Sequence, residues 1–598
     1  MSSATINAIE QHTTDVLILG TGGAGLFAAL HALQANPALD VTVAVKGLVG
    51  KCGCTRMVQG GYNVAVAAGD SVERHFMDTI VGGKWLPEQN LAWRLVETAV
   101  ERIRELENEL GCFFDRNRDG SLHQKAFAGQ SFDRTVHKGD LTGIEIINRL
   151  MERVWSMNAN FMEEHRAIEL IPAADGSGLA GVLLIDMRTG RYRLVKAKAV
   201  LLATGGGPSM YQYHTPSGDK TCDGLSMLLR LGLPLRDMEM VQFHPTGLLG
   251  GPDTRMTGTV LEEGLRGAGG YLLNGDGKRF MLDYHDNGER ATRDIVSRGI
   301  YAEMRAGNTT PMGGVYIEMA HLGPADVAKR FPGMVKRCAD CGFDLAGGRV
   351  EVVPTAHYLM GGVEFNLDTS TAIEGLFTAG EDCGGVHGAN RLGGNGVANS
   401  TVFGGLAGDA MAAYVATRPQ WRDLDMTVVE AGVARAELAF ASGGAHATNP
   451  EALSDLRDQL GRDMWDHVGI LRDQAGLATG IEKLDQHGAA LADIGIADAD
   501  RAFNLSWHDW LNMQSMLDIS RVIAQASQAR EDSRGAHYRE DFPDTGDLET
   551  TCFTRISGNA DALVTEMVPV SFDIVRPGES LIDEEAGKPP ATATGAMS

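Results

Sequence analysis

Arg391 stands among small residues in the stretch His-Gly-Ala-Asn-Arg-Leu-Gly-Gly-Asn at positions 387–395. A guanidinium group can hold a carboxylate through two parallel hydrogen bonds, and neighbouring glycines let a flat ring approach the backbone closely. The stretch therefore predicts a site where an organic acid meets a flat cofactor, with Arg391 as the residue that binds the acid.

Three glycines near the start of the chain, Gly20, Gly22 and Gly25, have the spacing of a dinucleotide-binding turn. The first would make the tight turn, the second would admit a pyrophosphate, and the third would let a helix pack on a strand. The spacing alone is a weak signal, but here it lies between apolar strand patterns at 15–19 and 41–45. We therefore predict a nucleotide-binding βαβ unit.

The nucleotide is predicted to be FAD rather than NAD. The second strand ends in Val45 and Lys46, whereas NAD-binding units usually place an acid there to bind a ribose hydroxyl. The sequence also has no second strong fingerprint for a nicotinamide cofactor. A tightly held FAD fits these observations better.

Two further strands would complete the sheet that positions the nucleotide. Apolar stretches at 198–203 and 375–379 each run into a glycine-bearing turn, Thr204-Gly205 and Gly380-Glu381. Because strands that end in such turns suit one layered sheet, we expect all four to lie in one parallel sheet. A large insertion, at about 242–350, would interrupt that sheet.

The second half of the chain has a different sequence periodicity from the first half. Residues 427–528 show helical periodicity with few breakers, which predicts a helical region. A small β-rich unit is expected around 564–575, followed by a polar end that is expected to be disordered.

Composition excludes several classes of function. The chain has 598 residues, enough for several domains, and its 53 basic and 78 acidic residues give a net charge of −25. This charge argues against nucleic acid or an anionic membrane surface as a partner. The start of the chain lacks a leader pattern and no long apolar segment occurs, so we expect a soluble, cytoplasmic protein without a membrane span.

The eight cysteines do not predict a disulfide framework or a metal site. They are few and irregularly spaced for a chain of this length, which suits a reducing compartment. Cys338 and Cys341 have the spacing of half a zinc ribbon, but no second pair lies at a suitable distance. We therefore expect reduced thiols and no bound metal.

The order of the motifs resembles that in the flavoprotein subunit of succinate dehydrogenases and fumarate reductases, a superfamily that includes L-aspartate oxidase. The resemblance covers about residues 15–543. The motifs that carry it are Gly20–Gly25, Gln59–Gly61, Asp140–Gly143, Ala203–Gly206, Gln242–Gly247, Glu263–Gly267, Arg293–Asp294, His357–Tyr358, His387–Gly393 and Ser533–His537.

The resemblance implies an α/β fold class with four parts. A Rossmann-like FAD-binding domain would carry an inserted α+β capping domain that closes on a dicarboxylate, and a helical domain and a small C-terminal domain would follow. The predicted bounds are 1–241 and 351–425 for the FAD-binding domain, 242–350 for the capping domain, 426–540 for the helical domain and 541–598 for the last domain.

The resemblance also implies roles for individual residues. Arg293 would be the proton shuttle, opposite the flavin N5 that carries the hydride, and Glu263 and Arg266 would be its relay. Arg391 and His357 would bind one substrate carboxylate, and His244 would help to hold the other. With the glycine turn, the residues assigned to FAD are Gly20, Gly22, Gly23, Ala24, Gly25, Lys46, Cys54, Thr55, Gly60, Gly61, Thr204, Gly205, Asp223, Glu381, Gly396 and Val397.

Structural roles compete with two of these assignments. Arg293 and Arg298 have the spacing of local ion pairs on a solvated helix face. Glu263 can cap the helix that it precedes. His537 in the last motif is expected to tie domains together rather than to touch substrate. Because the relay residues accompany Arg293, we favour catalysis for it.

The sequence departs from the family pattern at three positions. Cys54 replaces the histidine that joins the flavin covalently, so non-covalent FAD is expected, although a cysteinyl thioether stays open. Within the family, loss of the covalent bond goes with a lower flavin potential, which favours reducing a double bond. Gly396 replaces a serine near the flavin, which removes a side-chain contact.

The departure that bears most on the substrate is Glu262, which replaces a threonine whose hydroxyl would donate to a substrate carboxylate. A carboxylate at this substrate-binding position would repel an anionic group unless it is protonated or turned away. Thr257 or Thr259 can take over if the loop shifts. Otherwise one end of the substrate is an amine, an amide, a hydroxyl or a larger group.

The leading prediction is an FAD-dependent oxidoreductase that forms or reduces a carbon–carbon double bond next to a carboxylate of a succinate- or fumarate-like acid. Electrons would pass through an iron–sulfur partner subunit, which would keep the protein at the inner face of a membrane. Two alternatives stay open. One is an amino-acid oxidase of the L-aspartate type, in which Glu262 pairs with the substrate ammonium, and the other is a non-catalytic flavin carrier.

Overall fold

The computed structural model describes residues 9–218, 220–251, 254–441, 451–559 and 562–582. The strands in these residues are β1 Glu10–Leu19, β2 Val41–Val45, β3 Tyr62–Asn63, β4 Gln124–Lys125, β5 Thr135–Val136, β6 Ala159–Glu163, β7 His165–Pro172, β8 Leu179–Asp186, β9 Arg191–Leu202, β10 Leu235–Arg236, β11 Val241–Leu248, β12 Tyr271–Leu273, β13 Val315–Glu318, β14 Arg349–Leu359, β15 Gly362–Val363, β16 Leu376–Thr378, β17 Cys552–Asn559 and β18 Ala562–Pro569.

The helices in the same residues are α1 Gly23–Ala35, α2 Val72–Gly82, α3 Gln89–Asn108, α4 Thr142–Trp155, α5 Asp223–Arg230, α6 Gly264–Gly267, α7 Met281–Tyr284, α8 Arg293–Arg305, α9 Pro324–Arg330, α10 Pro332–Asp340, α11 Asn395–Ala416, α12 Met426–Ala441, α13 Ala452–His467, α14 Gln474–Asp493 and α15 Leu505–Ala529. The predicted disordered end, beyond residue 582, lies outside the described residues, as does the part of the predicted helical region at 442–450.

A seven-stranded sheet forms the centre of the nucleotide-binding part. Its order is β6-β2-β1-β9-β8-β7, and β16 pairs with the second half of β9. All five residues of β2 are buried, as expected for a parallel strand that helices cover on both faces. Helices α1 and α11 lie against each other closely, because Gly404 and Gly408 leave room for the α1 backbone.

The expectation of one purely parallel sheet is only partly right. Strands β1, β2, β6, β9 and β16 are parallel, which includes all four strands predicted from the sequence. Strands β7 and β8 form an antiparallel hairpin that pairs with the first half of β9. Both strands are largely buried and a short turn at 173–178 joins them; β8 is an apolar run, whereas β7 also carries His165, Arg166 and Glu169.

The insertion forms its own sheet and core. Strands β11, β14, β13 and β12 make an antiparallel sheet, and α8 packs on it through residues such as Val296 and Ile300. Strand β14 crosses the predicted boundary at 350 and continues to Leu359 in the same sheet. The exact domain boundaries therefore stay predictions.

The last parts of the chain pack on the nucleotide-binding part. Helices α12 to α15 cover β7 and α5, and the hairpin β17–β18 extends a sheet with β10 and β15. The hairpin ends at Pro569, earlier than the predicted unit at 564–575. His537 lies with its Nδ1 2.7 Å from Arg472 Nη1, so it joins the last motif to the helical region. No helix in the described stretches has the length and apolarity needed to cross a bilayer.

Candidate active site

The glycine turn after β1 opens a cradle at the carboxyl ends of the parallel strands. Gly20 has a φ of +114°, and a Cβ there would lie 2.1 Å from the carbonyl oxygen of Ala203 at the end of β9. A Cβ at Gly25 would lie 2.0 Å from the Gly20 carbonyl oxygen. The first glycine thus makes the turn and the third lets α1 pack against β1, as the spacing predicted.

One long pocket extends from this cradle to the capping sheet. Of the predicted site residues, all of which the structure describes, Gly25 and Arg266 lie behind its wall. The predicted residues that line it are Gly20, Gly22, Gly23, Ala24, Lys46, Cys54, Thr55, Gly60, Gly61, Thr204, Gly205, Asp223, His244, Glu262, Glu263, Arg293, His357, Glu381, Arg391, Gly396 and Val397.

The nucleotide end of the pocket fits a phosphate-bearing dinucleotide. Gly205 has a φ of +81° and no described atom would lie within 4 Å of a Cβ there, so its surface is open to a ligand. At Gly22 the nearest described atom to a Cβ would be Thr55 Oγ1, at 3.7 Å. Thr55 Oγ1 accepts a hydrogen bond from the Gly23 amide, which ties the turn to the pocket wall.

Buried charged side chains lie at the nucleotide end of the pocket. Asp223 accepts hydrogen bonds from Lys46 at 2.8 Å and from Arg166 at 2.9 Å. Burial would raise the pKa of Asp223, but the two cations outweigh it and hold the pKa well below its usual range. Asp382 accepts from the Gly205 amide at 2.9 Å, which fixes the second glycine turn. Glu381 accepts from the Leu359 amide at 3.0 Å, and burial raises its pKa to about 7.

Arg391 lies at the opposite end of the pocket, just before α11. Its Nη2 donates to Gln242 Oε1 at 2.9 Å, and its guanidinium carbon lies 4.5 Å from the centre of the Tyr358 ring. Burial lowers the pKa of Arg391 to about 10, and the positive charge of Arg293 adds to this effect. Among the described residues, nothing accepts a hydrogen bond from Arg391 Nε.

Arg293 begins α8 and faces Arg391 across Gln242. Its Nη1 donates to the same Gln242 Oε1 at 3.0 Å, and its Nε donates to Glu263 Oε2 at 2.8 Å. Only 8% of Arg293 is exposed, so the solvated-face interpretation is wrong for this residue. Glu263 makes no side-chain cap to α6; its other oxygen accepts from the Ala128 amide at 3.0 Å.

Arg266 stands behind Glu263, away from the pocket. Its Nη2 lies 4.0 Å from Glu263 Oε1, and its Nη1 donates to the Glu289 carbonyl at 2.7 Å. Burial would raise the pKa of Glu263, but Arg293 and Arg266 together hold it below its usual range. A continuous row of charged groups thus runs from the pocket through Glu263 to Arg266.

Two histidines complete this end of the pocket. The ring centres of His244 and His357 lie 5.4 Å apart in an edge-to-face arrangement. His357 Nδ1 lies 2.8 Å from Thr215 Oγ1, and His244 Nδ1 accepts from the Thr246 amide at 3.3 Å. Burial, with the positive charge of Arg293, holds the pKa of both rings well below the usual range, so both are neutral.

Two protein-family models match this chain. The one described as FAD binding domain matches residues 15–397, and the one described as fumarate reductase flavoprotein C-term matches 457–581. A fumarate reductase (CoM/CoB) chain of Methanothermobacter marburgensis is 38% identical over 543 residues, which is 90% of this chain and 96% of that one. The chain belongs to the fumarate reductase flavoprotein family. Members of this family are FAD-dependent oxidoreductases, and FAD is the cofactor of this chain.

Other members agree in sequence and in structure. The fumarate reductase flavoprotein subunit of Escherichia coli is 35% identical over 553 residues, 89% of each chain. The solved structure of FrdA from the E. coli quinol fumarate reductase has a TM-score of 0.88 at 32% identity, and the match covers 96% of this chain and 99% of that one. Sdh1 of Mycobacterium smegmatis has a TM-score of 0.83 at 35% identity, covering 95% and 96%. The predicted fold class is confirmed.

Cys54, the first departure from the family pattern, begins a 3₁₀ turn, Cys54–Met57, in the pocket wall. The preceding Gly53 has a φ of +92°, which lets the chain turn beside the cradle. None of the eight cysteines, all in described parts of the chain, forms a disulfide.

We predict that FAD is held non-covalently, since a thiol stands where the family's linking histidine would be. Precipitation with trichloroacetic acid should release the flavin into the supernatant, and Cys54→Ala should still carry about one FAD per chain. Cys52→Ala, a change in the same pocket wall, is the matched control. A yellow pellet that Cys54→Ala abolishes would contradict the prediction.

Glu262, the second departure, lies in the pocket wall with 4% of its surface exposed. Its Oε2 lies 3.6 Å from Lys125 Nζ, and burial raises the pKa of the carboxyl while Lys125 opposes the shift. Thr257, one predicted substitute for the missing threonine, uses its hydroxyl within its own turn, where it accepts from the Gly250 amide. Thr259, the other, does line the pocket.

Gly396, the third departure, lies against Arg391. A Cβ there would be 3.0 Å from Arg391 Nη1 and 3.4 Å from Tyr358 Cε2, closer than most real contacts of a Cβ. The glycine therefore provides the space in which Arg391 lies over Tyr358.

Restoring the family's serine should disturb this arrangement. We expect Gly396→Ser to raise the KM for the substrate acid about tenfold, because Arg391 must move, and to leave the FAD content unchanged. Gly461→Ser is the matched control, since a Cβ there has only ordinary contacts, the nearest at 3.4 Å. Steady-state kinetics of both variants test this, and an unchanged KM in Gly396→Ser would refute it.

Sequence reasoning missed several residues of the pocket. Gln242, Gln59, Phe127 and Tyr358 line it or contact its residues, and none of them was predicted as a site residue. Gln242 also donates to the Arg391 carbonyl at 2.7 Å, so it fixes both the side chain and the backbone of that residue. Its position two residues before His244 was the available signal, because both lie on β11 and reach the site.

Proposed function

We propose that this chain interconverts a saturated and an α,β-unsaturated carboxylic acid, with fumarate and succinate as the first candidates. The acid would bind at the Arg391 end of the pocket. One hydrogen would be added to, or removed from, each of two neighbouring carbons. Membership of the fumarate reductase flavoprotein family supports the reaction class.

One observation carries the proposal: Arg293 and Arg391 both donate to a single oxygen, Gln242 Oε1, at 3.0 and 2.9 Å. Two buried guanidinium groups that reach one oxygen atom can also hold a negatively charged oxygen of a ligand between them. Because Arg293 and Arg391 are only 8% and 6% exposed, such hydrogen bonds are stronger there than at a surface. An anionic acid is the ligand that this arrangement suits.

The substrate would be held by groups of two kinds. Arg391 supplies charge and directed donors for one carboxylate, and its unused Nε is available for a further hydrogen bond. His357 and His244 are neutral, so each can donate only one hydrogen bond, from the ring nitrogen that carries the proton. Charged Arg391 and the two neutral histidines would together orient the acid without adding further positive charge to the pocket.

Arg293 would hold the proton that is added to, or removed from, the substrate carbon. Its Nε is hydrogen-bonded to Glu263, which can return a proton after each turnover, and Arg266 keeps Glu263 ionised for that task. Bound FAD supplies the hydride chemistry at its N5. In the reducing direction the double bond thus gains one hydride and one proton, which balances the addition of two hydrogens.

We also propose that an iron–sulfur subunit is the electron partner, and that this partner places the chain at the inner face of a membrane. The match of the fumarate reductase flavoprotein C-terminal model to residues 457–581 supports this. A solved relative of 33% identity is a quinol-fumarate reductase with menaquinol molecules. Co-purification of an iron–sulfur protein with the tagged chain from its native cells tests the proposal.

The reaction is tested with purified, FAD-loaded protein under anaerobic conditions. Oxidation of reduced methyl viologen should depend on fumarate, methylfumarate or a related enoate, and a dye should be reduced by the matching saturated acid. The same preparation is tested with L-aspartate in air for hydrogen peroxide. Activity with an enoate is the expected result, whereas peroxide from aspartate without enoate reduction, or no activity with either, would overturn the proposal.

A further inference from the structure

Lys125 lies outside the capping insertion, at the end of β4, and its ammonium group faces Glu262. The Nζ–Oε2 distance is 3.6 Å, and the two side chains are 21% and 4% exposed. Lys125 Nζ also donates to the Gly139 carbonyl at 2.9 Å, which fixes its position. It is not part of the pocket wall, so it would act on a ligand only through Glu262.

The charged residues that line the substrate end of the pocket do not by themselves favour an anion with two negative charges. Arg293 and Arg391 bring two positive charges to the substrate end, and Glu262 and Glu263 bring two negative charges. Two cations behind the wall, Arg266 and Lys125, each pair with one of these carboxylates. At the substrate end, these four wall residues and the two cations behind them together carry an excess of two positive charges, which matches in magnitude the two negative charges of a dicarboxylate.

Other charged groups around Glu262 do not replace Lys125. Asp140 raises the pKa of Glu262 and Arg337 lowers it, so these two neighbours act in opposite senses. Glu381 accepts from the amides of Gly207 and Leu359, and its raised pKa, about 7, limits its charge. Lys125 is thus the cation that decides how negative Glu262 is towards a ligand.

We propose that Lys125 prepares the pocket for a doubly charged acid: by neutralising Glu262, it lets a dicarboxylate bind beside a side chain that would otherwise repel it. This rests on the proposed function and makes Lys125 a positioning residue, since it touches neither substrate nor cofactor. It also explains how a carboxylate can occupy a position next to an anionic ligand. Removal of one partner from a buried ion pair leaves the other charge uncompensated.

The test compares an acid with two carboxylates, fumarate, with one that has a single carboxylate, monomethyl fumarate. At alkaline pH, where Glu262 is ionised even without Lys125, kcat/KM of FAD-loaded Lys125→Met should fall about 30-fold for fumarate, mainly through KM, and by no more than about threefold for the monoester. Lys125→Arg keeps the charge and should stay within about threefold of wild type. Lys138→Met is the matched control, because Lys138 is 43% exposed and pairs with Asp115 instead.

The decisive variant is the double change Lys125→Met with Glu262→Gln. Because it removes both charges, it should restore fumarate kinetics to within about threefold of Glu262→Gln alone. Glu262→Gln, with Lys125 intact, is the reference for the double variant, because it removes the negative charge that Lys125 is proposed to neutralise. A double variant as poor as Lys125→Met, or equal losses with fumarate and the monoester, would overturn the proposal.

Binding can be measured without turnover. Malonate and monomethyl malonate are titrated into each variant and followed by the change in flavin absorbance. Lys125→Met should weaken malonate binding about 30-fold and leave the monoester within about threefold, whereas an equal effect on both would refute the proposal. If wild-type protein binds malonate in this way but turns over no enoate, the proposed reaction fails while the role of Lys125 stands.

Discussion

Arg293→Ala is expected to lower turnover of fumarate by about 10³-fold and to leave the FAD spectrum and FAD content unchanged. A positioned general acid contributes on the order of 10²–10⁴-fold to a rate, and Arg293 also shares the acceptor that Arg391 holds. Its side chain contacts Glu263 and Gln242 rather than the nucleotide cradle, so cofactor binding should not depend on it.

Arg305→Ala is the matched control for this prediction. Arg305 ends the same helix, is 51% exposed, pairs with Glu540 and does not line the pocket. Arg293→Lys should recover little activity, because an ammonium group lacks the separate Nε and Nη1 donors with which Arg293 reaches Glu263 and Gln242. Turnover of Arg293→Ala within about tenfold of wild type, with full FAD content, would refute a proton-transfer role.

Arg391→Met is expected to lower kcat/KM for the acid about 100-fold or more. Each hydrogen bond between charged partners contributes about 1.5–3 kcal/mol, and Arg391 can offer two to one carboxylate. Arg391→Lys should recover part of the loss, because it keeps a charge without the fork geometry. Kinetics at saturating and limiting substrate separate the effect on KM from that on kcat.

Arg418→Met, just beyond the end of α11, is the matched control, since Arg418 is 47% exposed and pairs with Glu374. Arg391→Met with unchanged kcat/KM would mean that the acid binds elsewhere in the pocket. In that case the opposite end, where Lys46 and Arg166 hold Asp223, would be the next place to examine.

The nucleotide-binding part was predictable because its signals are local. The turn Gly20–Gly25 and the strands on both sides of it lie within about thirty residues, so spacing alone implies their geometry. The hairpin β7–β8 was missed, because β7 mixes charged with apolar residues and the apolar run of β8 does not reveal whether its neighbour is parallel or antiparallel. FAD as cofactor, the fold class and the family are confirmed, whereas the roles of the site residues stay predictions.

A site residue was predictable where its type and its immediate sequence neighbours already indicate its chemistry. Arg391, among glycines, indicated an anion site without any knowledge of its neighbours. Lys125 gave no such signal and Gln242 gave one only through its place near His244, because their roles depend on Glu262 and Arg391, which lie 137 and 149 positions away. These pairs meet only in the folded chain, where the loop before α11 reaches β11 and the end of β4 reaches the segment before α6, which sequence spacing does not report.

The most direct test of the central claim is an anaerobic conversion followed by proton NMR. FAD-loaded wild-type protein with reduced methyl viologen should convert fumarate to succinate, with two viologen radicals consumed for each succinate formed, and Arg293→Ala should form almost none in the same time. Absence of succinate in the wild-type reaction, or equal succinate formation by Arg293→Ala, would contradict the account.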